Sequence, residues 1–475
     1  MNEPSVRDET PPAVPRRSLL RRILLVAVLL VAAVVGVCVY VIHERDRELR
    51  EAIAEADRLD SGWRFADMEA ARAEVPDDEN GARLVLAAHT AMPANWLASQ
   101  TPGVPTVDMR LVDVPPPQRP NDGDVKELRD KLAKANERKA LDVARGLADR
   151  PRGRYAVAWS KDLIGTLMPH IQQAREVALM LALDARLRAL DGDMEGALRS
   201  CQAALNTGRS LGDEPSAISQ IVRAASARLA LRALEQILAQ GEVPAKSLEE
   251  IQRLLANEAE EPLALIAARS SRVDIYQCLD VMRTGRFDRA KYGLATSILG
   301  STGDDLIDRG KARACQAAYL RYYNQVVEAV KRPTEEQQEA LENLHEPNVP
   351  LPKLLEALQK QGDGNEWSRL VNRFHQAKAE LRCATTALAA ERYRLDKGRW
   401  PESLDALLPH YLPSVPADPF DGQPLRFSRL ADGVVIYSIG PDRTDDGGRI
   451  DRSHPGTPGT DLGFQLWDVE RRGKK

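Results

Sequence analysis

Residues Ala387–Gly448 read ALAAERYRLDKGRWPESLDALLPHYLPSVPADPFDGQPLRFSRLADGVVIYSIGPDRTDDGG. Ala384 to Asp396 is rich in helix formers, with Ala384, Ala387, Leu388, Tyr393 and Leu395 near helical spacing. Gly398 and then Pro401 are placed to end that helix. Pro401–Leu408 reads as a short second helix, closed by Pro409 and Pro413. Asp418-Pro419-Phe420-Asp421-Gly422 is a turn cluster, since Asp caps its own backbone and Gly supplies positive φ. Pro424–Ser428 reads as a strand and Ala431-Asp432-Gly433 as a hairpin signal. Val434–Ile439 is the most β-prone run of the chain. The stretch therefore predicts a helix, a turn and an antiparallel hairpin, then a loop of Asp and Gly. Thr460–Phe464 is expected to fold back onto it.

These residues resemble the C-terminal domain of the major (G-type) pseudopilin of type II secretion systems. The resemblance rests on Tyr393, Asp396, Gly398, Trp400 and Pro401 at the helix end. It continues through Asp418, Pro419, Phe420, Gly422 and Pro424 in the turn, and Tyr437, Ser438, Gly440 and Asp442 after the last strand. It implies a small α+β pseudopilin-like domain, taken as 376–475, on a helix that runs into it without a linker. One departure bears on function. In the family the hydrophobic assembly helix directly precedes this domain, behind a prepilin-peptidase site; here the apolar segment lies far upstream and no such site precedes it. A polymerising pilus subunit is not expected.

That apolar segment, Ile23–Ile42, is a 20-residue run without a charge, long enough to cross a bilayer as a helix. Arg16, Arg17, Arg21 and Arg22 precede it, whereas His43–Glu51 mixes both signs. The positive-inside rule puts the N-terminus in the cytoplasm of a bacterial cell and the rest outside, in the periplasm. The expected order is a disordered cytoplasmic tail (1–17), a transmembrane helix (18–42) and juxtamembrane helices (43–92). A Pro-rich loop (93–123) and a helical ectodomain (124–375) follow. A cleaved signal peptide is the competing reading, but the run is long and no A-x-A site follows it. Cys38 follows Val37 where a lipoprotein needs a small residue. The whole chain carries a net charge of −4, and without Met1–Ile42 it holds 61 basic and 67 acidic residues, so the expected ectodomain is mildly acidic. A nucleic-acid partner, which wants a basic face, is therefore not expected.

Aromatics are only 5% of the chain, so the core is expected to be Ala/Leu helix packing. Arg45–Glu74, Glu79–Thr90 and Asp124–Ala148 read as charged helices, and Tyr155–Trp159 as a short apolar patch, a stray strand or a docked loop. Ile171–Leu190 and Met194–Leu211, joined by Asp191-Gly192-Asp193, read as an αα-hairpin. A second hairpin pairs Ala224–Gln240 with Ala245–Asn257. Gly192, Ala197 and Ala204 are weakly tetratricopeptide-like, but the second turn glycine, Gly241, does not repeat at that period. The fold class is thus mainly α: irregular helical hairpins between a membrane helix and the small α+β domain. Glu261–Arg283, Ala312–Lys331 and Trp367–Arg392 add helices, with loops at Gly300–Gly303 and Gln361–Gly364.

The loop Asp442, Asp445, Asp446, Gly447, Gly448, Asp451 is the one candidate for chemistry. Closely spaced carboxylates can wrap calcium, and the pseudopilin resemblance implies a calcium ion held near Asp442, with Asp445 and Asp446 as neighbours. The alternative is a solvated acidic turn in which Asp and Gly shape the backbone. No H-E-x-x-H, G-x-S-x-G or G-x-x-x-x-G-K signature occurs, and no two histidines stand at i, i+4. Cys201, Cys278, Cys315 and Cys383 fall within helical patterns and read as small buried hydrophobes, with one disulfide left open. The chain is expected to be a non-catalytic envelope protein that contacts another envelope protein. Two alternatives stand beside this: an accessory, non-polymerising component of a secretion or pilus-like system, and an envelope hydrolase without a visible motif.

Overall fold

The computed structural model describes residues 16–94, 96, 110–111, 114–288, 290–292, 301–359 and 366–473. The chain enters through α1 (Arg16–Leu59), a 44-residue helix whose character changes halfway. From Leu20 to Ile42 its large apolar side chains are all exposed, with mean hydropathy 3.1 in its most apolar window. Among the described residues it is the one helix long and apolar enough to cross a membrane. Beyond Ile42 a single stripe, Leu49, Ala52 and Ala56, is buried, the spacing of a helix with one face on a core.

The helices that follow are α2 (Phe65–Ala70), α3 (Gly81–Ala91), α4 (Asp122–Leu132), α5 (Ala135–Arg145), α6 (Pro169–Leu190) and α7 (Met194–Arg209). Then come α8 (Ala217–Gln240), α9 (Ala245–Ala259), α10 (Leu263–Arg283), α11 (Ser301–Val330), α12 (Thr334–Glu342), α13 (Lys353–Gln359) and α14 (Glu366–Lys397). The α6–α7 hairpin turns at Gly192, whose φ of +83° suits glycine. Asp193 then caps α7 by accepting from the Gly196 N–H at 3.0 Å. Because α6 is packed by α3, α4, α5, α7 and α8, it is buried around most of its circumference.

Three antiparallel strands close the chain: β1 (Arg426–Leu430), β2 (Gly433–Ser438) and β3 (Leu462–Trp467), in the order β1-β2-β3. β2 is buried at every position, whereas β1 lies at a half-exposed edge. The sheet lies on α14, and β3 also reaches α8. Val434, Val435 and Ile436 have no exposed surface. Full burial stabilises by roughly 1.5–3 kcal/mol per such side chain, against about 0.2–1 kcal/mol for a cross-strand pair. Docking, more than hairpin propensity, therefore holds the sheet. One continuous apolar core runs from Ala82 in α3 through α6–α9 and α14 to Leu466 in β3, so helical body and sheet share their interior.

The chain is mainly helical with a small antiparallel sheet, and several local expectations need correction. The sheet has a third strand where only a returning segment was expected. Arg45–Glu74 is not one helix, since α1 ends at Leu59 and Gly62 turns at φ +77°. Asp124–Ala148 breaks at Ala133 into two helices. Pro401–Leu408 forms only a 3-10 turn at Leu404–Leu407, because Pro409 follows at once and Leu408 before it is held extended at ψ 149°. Ser301–Gly303 lies inside α11 rather than a loop, and Tyr155–Trp159 forms no strand. Gly300, Gln361–Gly364, residues 1–15 and most of the expected Pro-rich loop lie outside the described residues. Cys201, Cys278, Cys315 and Cys383 are buried free thiols.

Candidate functional site

The Asp/Gly-rich loop spans the gap between β2 and β3, and its floor is Asp418 from the turn before β1. Asp418 Oδ1 accepts from Ser438 Oγ at 2.8 Å and the Phe420 N–H at 3.0 Å. Its Oδ2 accepts from the Ile439 N–H at 2.9 Å and Arg426 Nη1 at 3.0 Å. Burial dominates and pushes this carboxyl above its ordinary value, against those hydrogen bonds.

Arg426 opens β1 directly opposite Tyr437 of β2, and that register makes its guanidinium a hub. It pairs with Asp418 at 3.0 Å, Asp421 at 2.5 Å and Asp445 at 3.3 Å. Asp445 Oδ1 also accepts from the Tyr437 hydroxyl at 3.2 Å and the Gly447 N–H at 2.9 Å. Burial and the adjacent Asp445 push the Tyr437 hydroxyl up to about 12.

Of the three carboxylates singled out in the sequence, Asp442 and Asp445 are engaged inside the loop. Asp442 accepts from the Thr444 N–H at 3.1 Å and, across the loop, from the Gly459 N–H at 3.2 Å. Asp446 keeps Oδ2 buried without a hydrogen-bond partner, while its N–H donates to Asp461 Oδ1 at 3.4 Å. Asp461 has no exposed surface and accepts from the Gly448 N–H at 2.7 Å. Burial raises its pKa, and neighbouring Asp445 and Asp446 add to the rise. Among the described residues no three His, Cys, Asp or Glu side chains converge as a metal site. The arrangement is chemically a self-braced acidic loop, with Arg426 as its counter-charge. Sequence reasoning missed Arg426 and Asp461; the strand register and the Asp at the start of β3 were the available signals.

Two histidine clusters in the helical body bear on catalysis. His170 Nε2 lies 3.0 Å from Glu214 Oε1, and Ser219 Oγ donates to that same oxygen. The carboxylate stands between the imidazole and the hydroxyl, whereas a nucleophile-activating relay needs the imidazole between them. Tyr155 stacks on His170 at 4.5 Å and bonds Ser210 at 3.0 Å, so the group ties the segment before α6 to the turn after α7. His375 lines a cavity of about 270 Å³ with Lys378, Glu260 and Gln337. Burial, with Lys378 and Arg443 nearby, pushes it down to about 4, and it is neutral at pH 7. Its Nε2 meets Gln337 Oε1 at 2.9 Å rather than a hydroxyl or thiol. No protein-family model, curated protein or solved structure matches this chain.

Proposed function

We propose that the chain is a single-pass membrane protein of the bacterial envelope, N-terminus in the cytoplasm, whose body acts outside by contacting another envelope protein. One observation carries this reading. The fully exposed apolar half of α1 is continuous, within one helix, with a half locked into the body. Asp46 pairs with Arg313 at 3.1 Å, and Glu51 and Glu55 face Arg321 at 3.6 and 3.7 Å. Lys331 Nζ donates to the Leu59 carbonyl at 2.9 Å and so caps the helix end. An anchor built this way holds the body at a set angle to the bilayer and leaves the β1 edge and the acidic loop facing away from the core.

The body's role is to present that sheet-bearing module, for which the pseudopilin resemblance supplies the analogy and the β1 edge a template for contact. Fusions of alkaline phosphatase and of a fluorescent protein to the C-terminus test the orientation. Active phosphatase with a dark fluorescent fusion is expected; the reverse pattern sinks the topology. A photo-crosslinking residue at Arg429, on the exposed edge, tests the contact in intact cells. A discrete light-dependent adduct is expected there and none from Arg83 on the helical body, and equal labelling from both positions would end the interaction reading.

A further inference from the structure

One face of α14, carrying Phe374, His375, Ala377, Lys378 and Leu381, meets the start of α12 and the turn between α9 and α10 across a cavity of about 270 Å³. Helix α8 contributes Ala224 and Ala227 to the lining, and α10 contributes Leu263 and Ala264. Four of the helices that reach the cavity, α8, α9, α10 and α14, do so with alanine. A methyl group leaves open the space that a leucine would fill. An apolar cavity of about 150 Å³ holds benzene, so this one has room for a molecule of about ten non-hydrogen atoms.

The acids that line this cavity are already matched. Glu258 accepts from Arg209 Nη1 at 2.7 Å and from Arg223 Nε and Nη2, both at 2.8 Å. Glu261 pairs with Arg223 at 3.2 Å. Glu260 Oε1 accepts from Arg382 Nε at 3.3 Å and Nη2 at 2.8 Å. Lys331 spends its ammonium on the Leu59 carbonyl and Glu328. Lys378 is the exception, with no hydrogen bond among the described residues. Its partner, Glu260 Oε2, is 3.8 Å away, and the Glu260 side chain is 64% exposed against 23% for Lys378. The three carboxylates thus face Arg209, Arg223, Arg382 and Lys378, one cation more than they neutralise, and the surplus sits on Lys378. Burial pulls its ammonium below the ordinary value, Arg382 adds to the fall, and Glu260 opposes it. On the same face of α14, His375 is neutral at pH 7 and holds Gln337 through Nε2. Thr334, also in the lining, has a hydroxyl without a hydrogen bond among the described residues.

We propose that this cavity binds a small apolar monocarboxylic acid, its carboxylate on the Lys378 ammonium and the Thr334 hydroxyl, its hydrocarbon body against Ala224, Ala227, Leu263 and Phe374. A charge-assisted contact to an ammonium drawn out of water is stronger than one at an open surface. The hydrocarbon body covers apolar wall that otherwise faces water. One surplus cation suits one carboxylate, since a second buried carboxylate would lack a counter-charge. Glu260 stays on Arg382 throughout. The site lies among α8–α10, α12 and α14 and depends on neither the membrane nor the β1 edge, so its test stands apart from that of the anchor reading.

The test uses the full chain in lipid nanodiscs, because detergent would compete for an apolar cavity, with protein-free nanodiscs as the blank. Calorimetry at pH 7 and constant ionic strength compares 3-phenylpropionate with its uncharged amide, 3-phenylpropanamide. Saturable heat from the acid is expected, with the amide at least about tenfold weaker. Lys378→Met, which keeps the apolar stem, should bring the acid down to the affinity of the amide and leave the amide unchanged. Ala264→Leu, at a half-buried position in the lining, should remove the binding of both by filling the space. The comparison of acid with amide is made on the parent and decides the matter if either variant misfolds. No saturable heat from the acid, equal affinity for acid and amide, or acid binding undiminished in a folded Lys378→Met or Ala264→Leu overturns the proposal.

Discussion

Asp60 and Arg272 form an ion pair at the C-terminal end of α1, with the Arg272 side chain fully buried and Asp60 nearly so. Arg269 completes a fork on the same carboxylate, its Nε 3.0 Å from Oδ2. Trp63 lies under Arg272, ring to guanidinium 5.4 Å, and meets Tyr276 edge-on at 5.0 Å. The last turn of α1 is thus bolted to α10 through charge and aromatic contact together.

Removing one partner of such a pair leaves the other as an uncompensated buried charge, at a cost of about 3–5 kcal/mol. Asp60→Ala should lose about that much in chemical denaturation of the full chain. Arg269→Ala, whose side chain is 36% exposed, should lose about 1 kcal/mol or less. Burial would raise the Asp60 pKa, but hydrogen bonds from Arg272 and Arg269 outweigh it and hold the value below normal. This contribution is present above the ordinary carboxylate range and fades as pH falls through it. Equal losses from both variants would show that the pair does not carry the joint.

Asp274, one turn from that joint on α10, behaves in the opposite sense. Burial pushes its carboxyl up to about 7, against about 3.9 in an unfolded chain. Between those values the folded chain holds a proton that unfolding releases, so this group's contribution falls as pH rises from about 4 through 7. Asp274→Asn should flatten that slope and stabilise the protein at pH 8. A parent and variant with parallel pH–stability curves would place the carboxyl in water.

What was legible in the sequence follows from how local each feature is. The α6–α7 hairpin was readable because Gly192 must adopt a positive φ next to a capping Asp193. The apolar half of α1 and the β-branched run of β2 announce themselves by composition. β3 was not read as a strand because Gly463 interrupts its pattern and its partner, β2, lies across a long loop. Ser301–Gly303 looked like a loop because glycine and serine are poor helix formers, yet they form the first turn of α11. Arg186 is the sharpest case. A charge on a helix reads as a solvated face, and only the burial of α6 on nearly all sides reveals it as an internal cation. The loop carboxylates were visible as a group, but Arg426, which pairs with Asp445 of the loop, joins only through strand register.

Gly433 opens β2 where β3 crosses closest. A methyl group there would stand 1.9 Å from the Leu466 carbonyl oxygen, a contact that only backbone displacement relieves. Gly433→Ala should therefore destabilise the protein by about 1–3 kcal/mol or more and loosen the sheet. Gly310→Ala, in α11 with nothing within 4 Å of the new carbon, should be stabilising by up to about 1 kcal/mol. Hydrogen exchange at the Ile436 and Phe464 amides checks the first effect locally: unchanged protection in Gly433→Ala would mean that the strands do not approach as closely as described.

The acidic loop allows a direct choice between its two readings. Asp442 spends both oxygens on backbone N–H groups, and Asp445 sits on Arg426 and Tyr437. A cation bound by these carboxylates would have to displace those donors and would meet Arg426 as a competitor. The loop should accordingly hold its shape without metal, so EDTA and millimolar calcium should leave the Tm of the full chain unchanged. Arg426→Met should reverse this: with the counter-charge gone, Asp418, Asp421 and Asp445 repel one another, Tm falls, and calcium restores part of it. A calcium-dependent rise already present in the parent, and lost in Asp442→Ala/Asp445→Ala/Asp446→Ala, would instead establish the loop as the structural calcium site that the pseudopilin resemblance implies. Arg426 would then be the group that gives way when the ion arrives.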